Sequence, residues 1–185
     1  MTDSHDDADI AARSLMANPE SHSAYDLMYA IGKAEAIEHR ALIESHLDDR
    51  ADPMRARLAL QILCNWWGLA DEYRHEIFRF TKGVDWDLSD GGFVQLVAIS
   101  AAGELLRSRD DSALLTELVS LYDSGASDLV KGAAYSALAR WRGMGWGEIP
   151  RAHRASWRSE VDAAVLDAAR KVAHQTGRVG GGHYN

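Results

Sequence analysis

Apolar residues follow two alternating patterns along this chain. In some stretches they recur every three to four residues with charged residues between them, as at Leu114, Leu118 and Leu121. That spacing places them on one side of a helix. Other stretches, such as LALQILCNWW and FVQLVAISAAGELL, are apolar almost throughout. They predict helices that are covered on both sides, because a helix at the surface keeps a polar face.

The two patterns alternate three times, and an aspartate marks each alternation. Asp52, Asp90 and Asp128 stand 38 residues apart, and each opens a stretch of the second, more apolar kind. A one-sided helix is predicted before each of them, over residues 33–47, 69–82 and 111–123. The sequence therefore predicts an all-α protein built from three helix pairs.

The joints between the predicted helices carry capping residues. An aspartate at a helix start can accept a backbone N–H from the first turn and complements the positive end of the helix dipole. Pro53 follows Asp52 at the first helical position, where its missing N–H costs nothing. Gly68 and Gly143 end two of the apolar helices, as expected where the terminal residue is left-handed.

This helix-pair pattern resembles the HEAT-repeat superfamily over roughly residues 33–143. The resemblance rests on the aspartate at each turn, the closing glycine, and an apolar pattern such as Ala134, Ala137 and Leu138 in the following helix. It implies a right-handed α-solenoid of about three HEAT-like helix pairs, in which the second helices line a concave side. The basic residue that family members often carry after the aspartate is matched loosely by Arg57 and is missing from the other two units.

The two ends of the chain predict caps and tails. Ala24–Ile31 predicts a short N-terminal capping helix and Ser156–Thr176 an amphipathic C-terminal one, since the end units of a solenoid must cover its core. Residues 1–20 are acidic and show no evident hydrophobic face, so we expect a flexible N-terminus, with a second flexible tail at 177–185. One HEAT-like repeat domain over residues 21–176 is the predicted organisation.

The charge distribution indicates what kind of partner such a protein binds. The net charge is −8, and residues 1–50 hold 11 acidic against 4 basic side chains. Nucleic-acid affinity depends on Lys and Arg displacing counterions from phosphates, so an acidic surface disfavours DNA and RNA. A basic protein is the expected partner, because opposite charges steer association.

Cysteine content and hydropathy indicate where in the cell the protein is located. Cys64 is the single cysteine, so no disulfide forms within the chain. No run approaches the roughly 18 apolar residues of a membrane span. The N-terminal segment is acidic where a signal peptide would be basic. The sequence predicts a cytoplasmic protein that does not associate with membranes, either a monomer or a weak dimer.

Motifs that carry catalysis or bind metals are missing or incomplete. The chain has no phosphate-binding loop, H-E-x-x-H, paired CxxC or nucleophile elbow. Two groups hold potential metal ligands: Glu35, His39 and His46, and separately His5, Asp6, Asp7 and Asp9. A metal site needs at least three converging ligands, and acidic side chains on an exposed helix are normally solvated. The sequence thus predicts no metal, no cofactor and no catalytic residue.

Candidate partner contacts are polar or aromatic side chains where the pattern is otherwise apolar. Four-residue spacing puts a polar stripe on one inner helix, tryptophans are common anchors of interfaces, and the acids suit a basic partner. Each group also has a plain structural interpretation, as a solvated helix face or as filling between helices. The predicted contacts are Arg57, Gln61 and Asn65 of the stripe, the aromatics Trp67 and Trp86, and the acids Glu35, Glu38, Asp48 and Asp49.

Three functional hypotheses follow from these features. The first is a protein-binding module, most specifically a bacterial immunity or inhibitor protein that neutralises a basic toxin. The second is an enzyme resembling the HEAT-like DNA glycosylases, whose basic groove has the opposite charge to this chain. The third is a lyase or chaperone for a cofactor-bearing protein, as in the HEAT-like phycobilisome lyases. The first hypothesis is favoured.

Overall fold

The chain folds into α-helices joined by turns. A computed structural model describes residues 3–88, 92–151, 154 and 156–179, and within these residues no strand occurs. The predicted all-helical class is confirmed. The helices are α1 Asp3–Ala17, α2 Ala24–Lys33, α3 Arg40–Glu44, α4 Pro53–Leu60, α5 Arg74–Thr81, α6 Phe93–Ser108, α7 Ser112–Asp123, α8 Asp128–Trp141 and α9 Ala163–Val179.

Three shorter segments interrupt or extend these helices. A π-helix, Gln61–Trp66, continues directly from α4, and 3-10 helices occupy Ile37–His39 and Trp157–Glu160. The predicted first helix over residues 33–47 is therefore broken, whereas the one predicted over 111–123 is present as α7.

The second, more apolar helices of the predicted pairs pack side by side. α6 lies between α4 and α8, with α5 packed against α6, and α7 against α8. α9 packs on α7, and α1 packs on α2. Because α6 is enclosed by four helices, it buries half of its sixteen residues, which accounts for a sequence that is apolar nearly all round.

The contact between α6 and α8 depends on a glycine. A Cβ placed on Gly103 would lie 3.0 Å from the Cα and 3.2 Å from the Cβ of Ala137. Both residues are buried, and the two helix backbones approach where neither carries a large side chain. Small residues at this crossing bring the exposed sides of α6 and α8 close together.

The predicted aspartate cap is present at α4. The side chain of Asp52 accepts a hydrogen bond from the Met54 backbone N–H at 3.0 Å, and Pro53 is the first helical residue. At α8 the prediction is wrong. Asp128 is already inside the helix, and Ser127 Oγ accepts the N–H of Val130.

The start of α6 is capped by a residue that sequence analysis did not select. Asp90 lies outside the described residues. Asp87 Oδ2 instead accepts the N–H groups of Val94 at 2.8 Å and Gln95 at 3.2 Å. A carboxylate on two of the first free N–H groups complements the helix dipole as a conventional cap would.

Helix ends confirm the predicted glycines and add a third, unusual case. Gly68 and Gly143 have φ values of 69° and 88°, so both are left-handed as predicted. After α8, the Gly143 N–H donates to the Arg140 carbonyl and the Met144 N–H to the Ala139 carbonyl. The same pair of hydrogen bonds ends α2, where the Glu35 N–H donates to the Gly32 carbonyl and the Ala36 N–H to the Ile31 carbonyl. Glu35 has φ 54°, a conformation that favours glycine. The chain turns here, which is why no helix runs continuously from residue 33 to 47.

The N-terminal segment differs most from expectation. Residues 3–17 form α1 rather than a flexible tail, and four of its side chains are buried: Ala8, Ala11, Ala12 and Leu15. Their spacing is helical, but three alanines make a weak apolar signal among many acids. At the other end, residues 177–179 belong to α9, and residues 180–185 lie outside the described residues.

Candidate functional site

A pocket opens between the exposed sides of α6 and α8. Its volume is about 210 Å³, and its walls are mainly apolar. α6 contributes a single serine, α8 supplies four residues, and the turn after α8 adds a tryptophan at the edge. The lining residues are Ser100, Ala133, Ser136, Ala137, Arg140 and Trp146.

Arg140 is the charged group in this pocket, and it is almost entirely buried, with 5% of its surface exposed. Its Nη2 forms an ion pair with Glu104 Oε1, while Arg107 Nη1 lies 3.3 Å from the other oxygen of the same carboxylate. One carboxylate thus serves two guanidinium groups. Burial lowers the pKa of Arg140 and Glu104 partly offsets this, but an arginine remains protonated at any physiological pH.

Trp146 covers the guanidinium from the solvent side. The Arg140 Cζ lies 4.0 Å from the centre of the Trp146 ring, a cation–π contact. The indole nevertheless stays 62% exposed. The turn that carries it is closed by a hydrogen bond of 2.6 Å from the Gly145 N–H to Glu148 Oε2. An aromatic ring is therefore held at the pocket edge while most of its surface faces solvent.

Sequence analysis did not select Ser136, Arg140 or Trp146. The sequence does contain a signal for one of them, because Arg140 is a charged residue that directly follows the run SALA on α8. A charge at such a position needs a partner, here Glu104 on the neighbouring helix. The position of Trp146 depends on the turn after Gly143, which carries no periodic pattern.

The predicted polar stripe lies on α4 and the π-helix. Arg57 and Gln61 are half-buried and Asn65 is exposed, so all three keep contact with solvent. The π-helix has a wider turn than an α-helix, and four-residue spacing no longer aligns side chains along it. The stripe is accessible, but the pocket does not include it.

The two predicted aromatic contacts lie elsewhere. Trp67 is buried, with 8% of its surface exposed, and its Nε1 donates a hydrogen bond of 3.2 Å to the Gly32 carbonyl. It joins α2 to the end of the π-helix and offers little surface to a partner. Trp86 is half-buried and packs edge-on against Phe80, with ring centres 6.1 Å apart. Both rings mainly fill space between helices.

The four predicted acids have different surroundings. Glu35 is exposed, and Asp48 is exposed but paired with Arg79 at 2.8 Å. Glu38 is exposed and faces a histidine of α1. Asp49 points inward, because its carboxylate lies 3.0 Å from Arg55 Nε and is only 10% exposed.

Cys64 offers no reactive thiol. It is buried on the π-helix. Burial, together with the negative charge of Glu76, raises the pKa of its thiol to about 12. The thiolate is the form that attacks electrophiles and binds metals, so at neutral pH Cys64 is an inert core residue.

These features define a class: an all-helical protein that presents a small apolar pocket, with a buried arginine and an exposed tryptophan, on the side of two adjacent helices. No family model matches the chain, and neither a curated protein nor a solved structure shows significant similarity to it. Across the described residues, none of the helices has the length and apolar character needed to cross a membrane.

Proposed function

We propose that this protein is a protein-interaction module that binds its partner at the pocket between α6 and α8. The observation that carries the proposal is Trp146, largely exposed at the pocket edge and held over Arg140. Tryptophan and arginine are the residue types most enriched among interface positions that dominate binding energy. A rigid aromatic ring beside a preformed apolar pocket is the usual arrangement at such positions.

The size of this pocket supports one inserted side chain of a macromolecule over a whole small-molecule ligand at this site. Ligand and cofactor sites generally enclose roughly 300–1,000 Å³. A pocket of about 210 Å³ is smaller and suits one inserted side chain of a larger partner. Ala133, Ala137 and Trp146 give it apolar walls, so the inserted side chain is aliphatic or aromatic.

The packing order supports a finer proposal about the architecture. α4, α6 and α8 lie side by side, in the order in which they occur along the chain. α5 packs against α6, and α7 packs against α8. A right-handed, HEAT-like solenoid has such a row of second helices along its concave side. In that arrangement the pocket lies on the concave side, where solenoid proteins bind their partners.

Net charge supports a basic partner. Against a net charge of −8, several acids of the N-terminal region are exposed and have no basic side chain beside them in the described part of the chain: Asp6, Asp7 and Asp26. Exposed charges at the edge of an interface mainly accelerate association.

The specific form of the proposal is a bacterial immunity or inhibitor protein that neutralises a basic toxin in the cytoplasm, where a free thiol such as Cys64 stays reduced.

The test compares three tagged forms of the protein as baits in the native host: wild type, Trp146→Ala, and Leu88→Ala as an exposed apolar control that does not line the pocket. We expect a basic protein to be retained by wild type and Leu88→Ala and lost with Trp146→Ala. Its dissociation rate from purified Trp146→Ala should rise at least about tenfold, since central aromatic anchors contribute 2 kcal/mol or more.

Salt separates the charge contribution from the pocket contribution. Neutralising Asp6, Asp7 and Asp26 together to asparagine should slow association and weaken its salt dependence, with little change in dissociation. Equal retention of the same partner by wild type and Trp146→Ala would disprove the pocket as the contact. Retention of an acidic partner would disprove the charge argument.

A further inference from the structure

Three potential metal ligands, Asp9, Glu38 and His39, converge where α1 meets the 3-10 helix Ile37–His39, and His5 contacts one of them. His39 Nε2 lies 2.8 Å from Asp9 Oδ1, and His5 Nδ1 lies 3.6 Å from Glu38 Oε1. One ligand atom each from Asp9, Glu38 and His39 lies within 4.8 Å of the other two. His5 and Asp9 are four residues apart on α1, so both project from the same side of that helix.

No single stretch of the sequence holds enough ligands for a metal site, and the fold brings two stretches together. His39 and the histidine–aspartate group near residue 5 belong to separate, insufficient clusters along the chain. Folding places them together because α1 packs on α2, and the left-handed turn at Glu35 directs the following 3-10 helix back toward α1. Among the described residues this is the one place where three or more histidine, cysteine, aspartate or glutamate ligand atoms come this close.

The donor atoms select the class of metal. Two imidazoles and two carboxylates are a nitrogen–oxygen set that suits Zn²⁺ and neighbouring first-row ions, whereas Ca²⁺ and Mg²⁺ prefer oxygen alone. Ligand atoms in a tetrahedral zinc site, with bonds of roughly 2.0–2.1 Å, stand about 3.3 Å apart. The His39–Asp9 separation of 2.8 Å and the His5–Glu38 separation of 3.6 Å are close to that distance, and the ligand atoms of Asp9, Glu38 and His39 all lie within 4.8 Å of one another.

The surroundings favour a site that closes around an ion. The His39 side chain is only 19% exposed, which holds its ring in place, while His5 and Glu38 are more than half exposed and free to adjust. Other histidine–carboxylate contacts differ from this one. His75, for example, meets a single carboxylate, Glu76, at 4.0 Å with its ring in solvent.

We propose that His5, Asp9, Glu38 and His39 form a binding site for one divalent transition-metal ion, with zinc the best match. The site is separate from the pocket between α6 and α8. Its ligands come from two segments about thirty residues apart, so a bound ion fastens α1 to the rest of the protein. Ligand binding to the folded state alone stabilises that state by mass action.

The experiment titrates Zn²⁺ into the full chain, with any affinity tag removed, and measures heat and melting temperature. We expect one zinc ion per chain, and a rise in melting temperature of about 5–10 °C at a hundredfold excess over Kd. Co²⁺ in place of zinc should show the visible absorption of a tetrahedral site. Amide exchange within residues 5–17 should slow when the metal is bound.

Single substitutions test which residues bind the zinc ion. His5→Ala removes an exposed ligand without disturbing the core and should weaken zinc binding at least about tenfold, and His39→Asn should weaken it further. His75→Ala is the matched control and should bind as wild type does. The proposal is overturned if zinc fails to bind with one-to-one stoichiometry at micromolar concentration, or if the His5 and His39 variants bind it as tightly as the control.

Discussion

Residues 24–66 and residues 93–141 are both helical but are built differently. The C-terminal region has three uninterrupted helices, α6, α7 and α8, of 16, 12 and 14 residues. The N-terminal region has α2, α3 and α4, of 10, 5 and 8 residues, separated or extended by a left-handed turn, a 3-10 helix and a π-helix. Short helices leave more backbone groups unpaired at their ends.

Arginine side chains connect the irregular region. Arg55 is buried and donates to the Pro19 carbonyl at 2.6 Å, contacts Glu20 at 2.8 Å, and pairs with Asp49. Arg40 likewise bonds Glu44, Glu72 and Tyr73. In the regular region, the contact of α6 with α8 combines the close approach of the two backbones at Gly103 with the ion pair between Glu104 and Arg140. The comparison indicates that the short helices depend mainly on arginine contacts, whereas the long helices also pack closely backbone to backbone.

Removing Arg55 should therefore have the largest effect on stability. Arg55→Ala removes the guanidinium that pairs with the inward-facing Asp49 and frees the Pro19–Glu20 segment, so we expect a loss of about 3–5 kcal/mol in the free energy of unfolding. Urea denaturation measures it. Arg57→Ala, two residues along α4 and half-buried, is the matched control and should cost less than about 1 kcal/mol. Equal effects of the two changes would remove the distinction between the regions.

The regular region should be most sensitive at Gly103. Alanine has the higher helix propensity by roughly 1 kcal/mol, but its Cβ would press on the Ala137 backbone, and a helix backbone moves less easily than the end of a flexible side chain. We expect Gly103→Ala to destabilise the protein by about 2 kcal/mol. Gly125→Ala, where a Cβ meets no atom within 4 Å, should change stability by less than about 0.5 kcal/mol. Stabilisation by Gly103→Ala would mean that the helices do not approach this closely.

Acid should weaken the junction between α5 and α7. Burial alone would raise the pKa of Asp111, but hydrogen bonds from Arg74 and from the Leu114 N–H outweigh it and leave the pKa below its usual value. A lowered pKa contributes stability above the unfolded-state value of about 3.9, and that stability is lost as pH falls through the folded-state value.

The corresponding variant is Asp111→Asn. It should cost about 1.5 kcal/mol at pH 7, because the charged hydrogen bonds to Arg74 are lost while an acceptor for Leu114 remains. Stability curves of the two proteins should converge below about pH 4. Parallel curves down to pH 2 would argue against a charged Asp111–Arg74 pair.

The smallest expected effect concerns the left-handed turn that follows one helix of each region. The turn after α2, at Glu35, and the turn after α8, at Gly143, are closed by the same pair of backbone hydrogen bonds. Glu35→Gly should stabilise the protein by about 1 kcal/mol by relieving the left-handed strain, and Gly143→Ala should destabilise it by a similar amount. Thermal melts of both variants measure this. A loss of stability in Glu35→Gly would show that the glutamate side chain contributes more than its backbone costs.

The long, periodic helices could be predicted from the sequence, and the interruptions could not. α7 and α8 match their predicted spans within a residue or two, because the apolar spacing runs along both helices and Gly143 marks the end of α8. The π-helix after Leu60 and the left-handed turn at Glu35 leave no periodic signal, since tertiary packing imposes them. α1 was missed because alanines bury well against α2 while contributing little to a hydrophobicity pattern.

The pocket between α6 and α8 could not be predicted from the sequence, for a different reason. Stripe positions such as Asn65 were selected by spacing on one helix, whereas the pocket depends on residues that meet between helices. Arg140, Glu104 and Trp146 are separated in sequence, and only the approach of α6 to α8 brings them together. The same holds for the four candidate metal ligands.

The modest apolar face of α1 also has a consequence for dynamics. Three alanines and one leucine bury little surface, so α1 can detach without unfolding the remaining helices. We expect its amides to exchange with solvent far faster than those of α6, through an opening that costs only a fraction of the global free energy. During such openings the exposed turn at residues 18–23 becomes a preferred point of proteolytic cleavage, and the surface of α2 beneath is briefly uncovered.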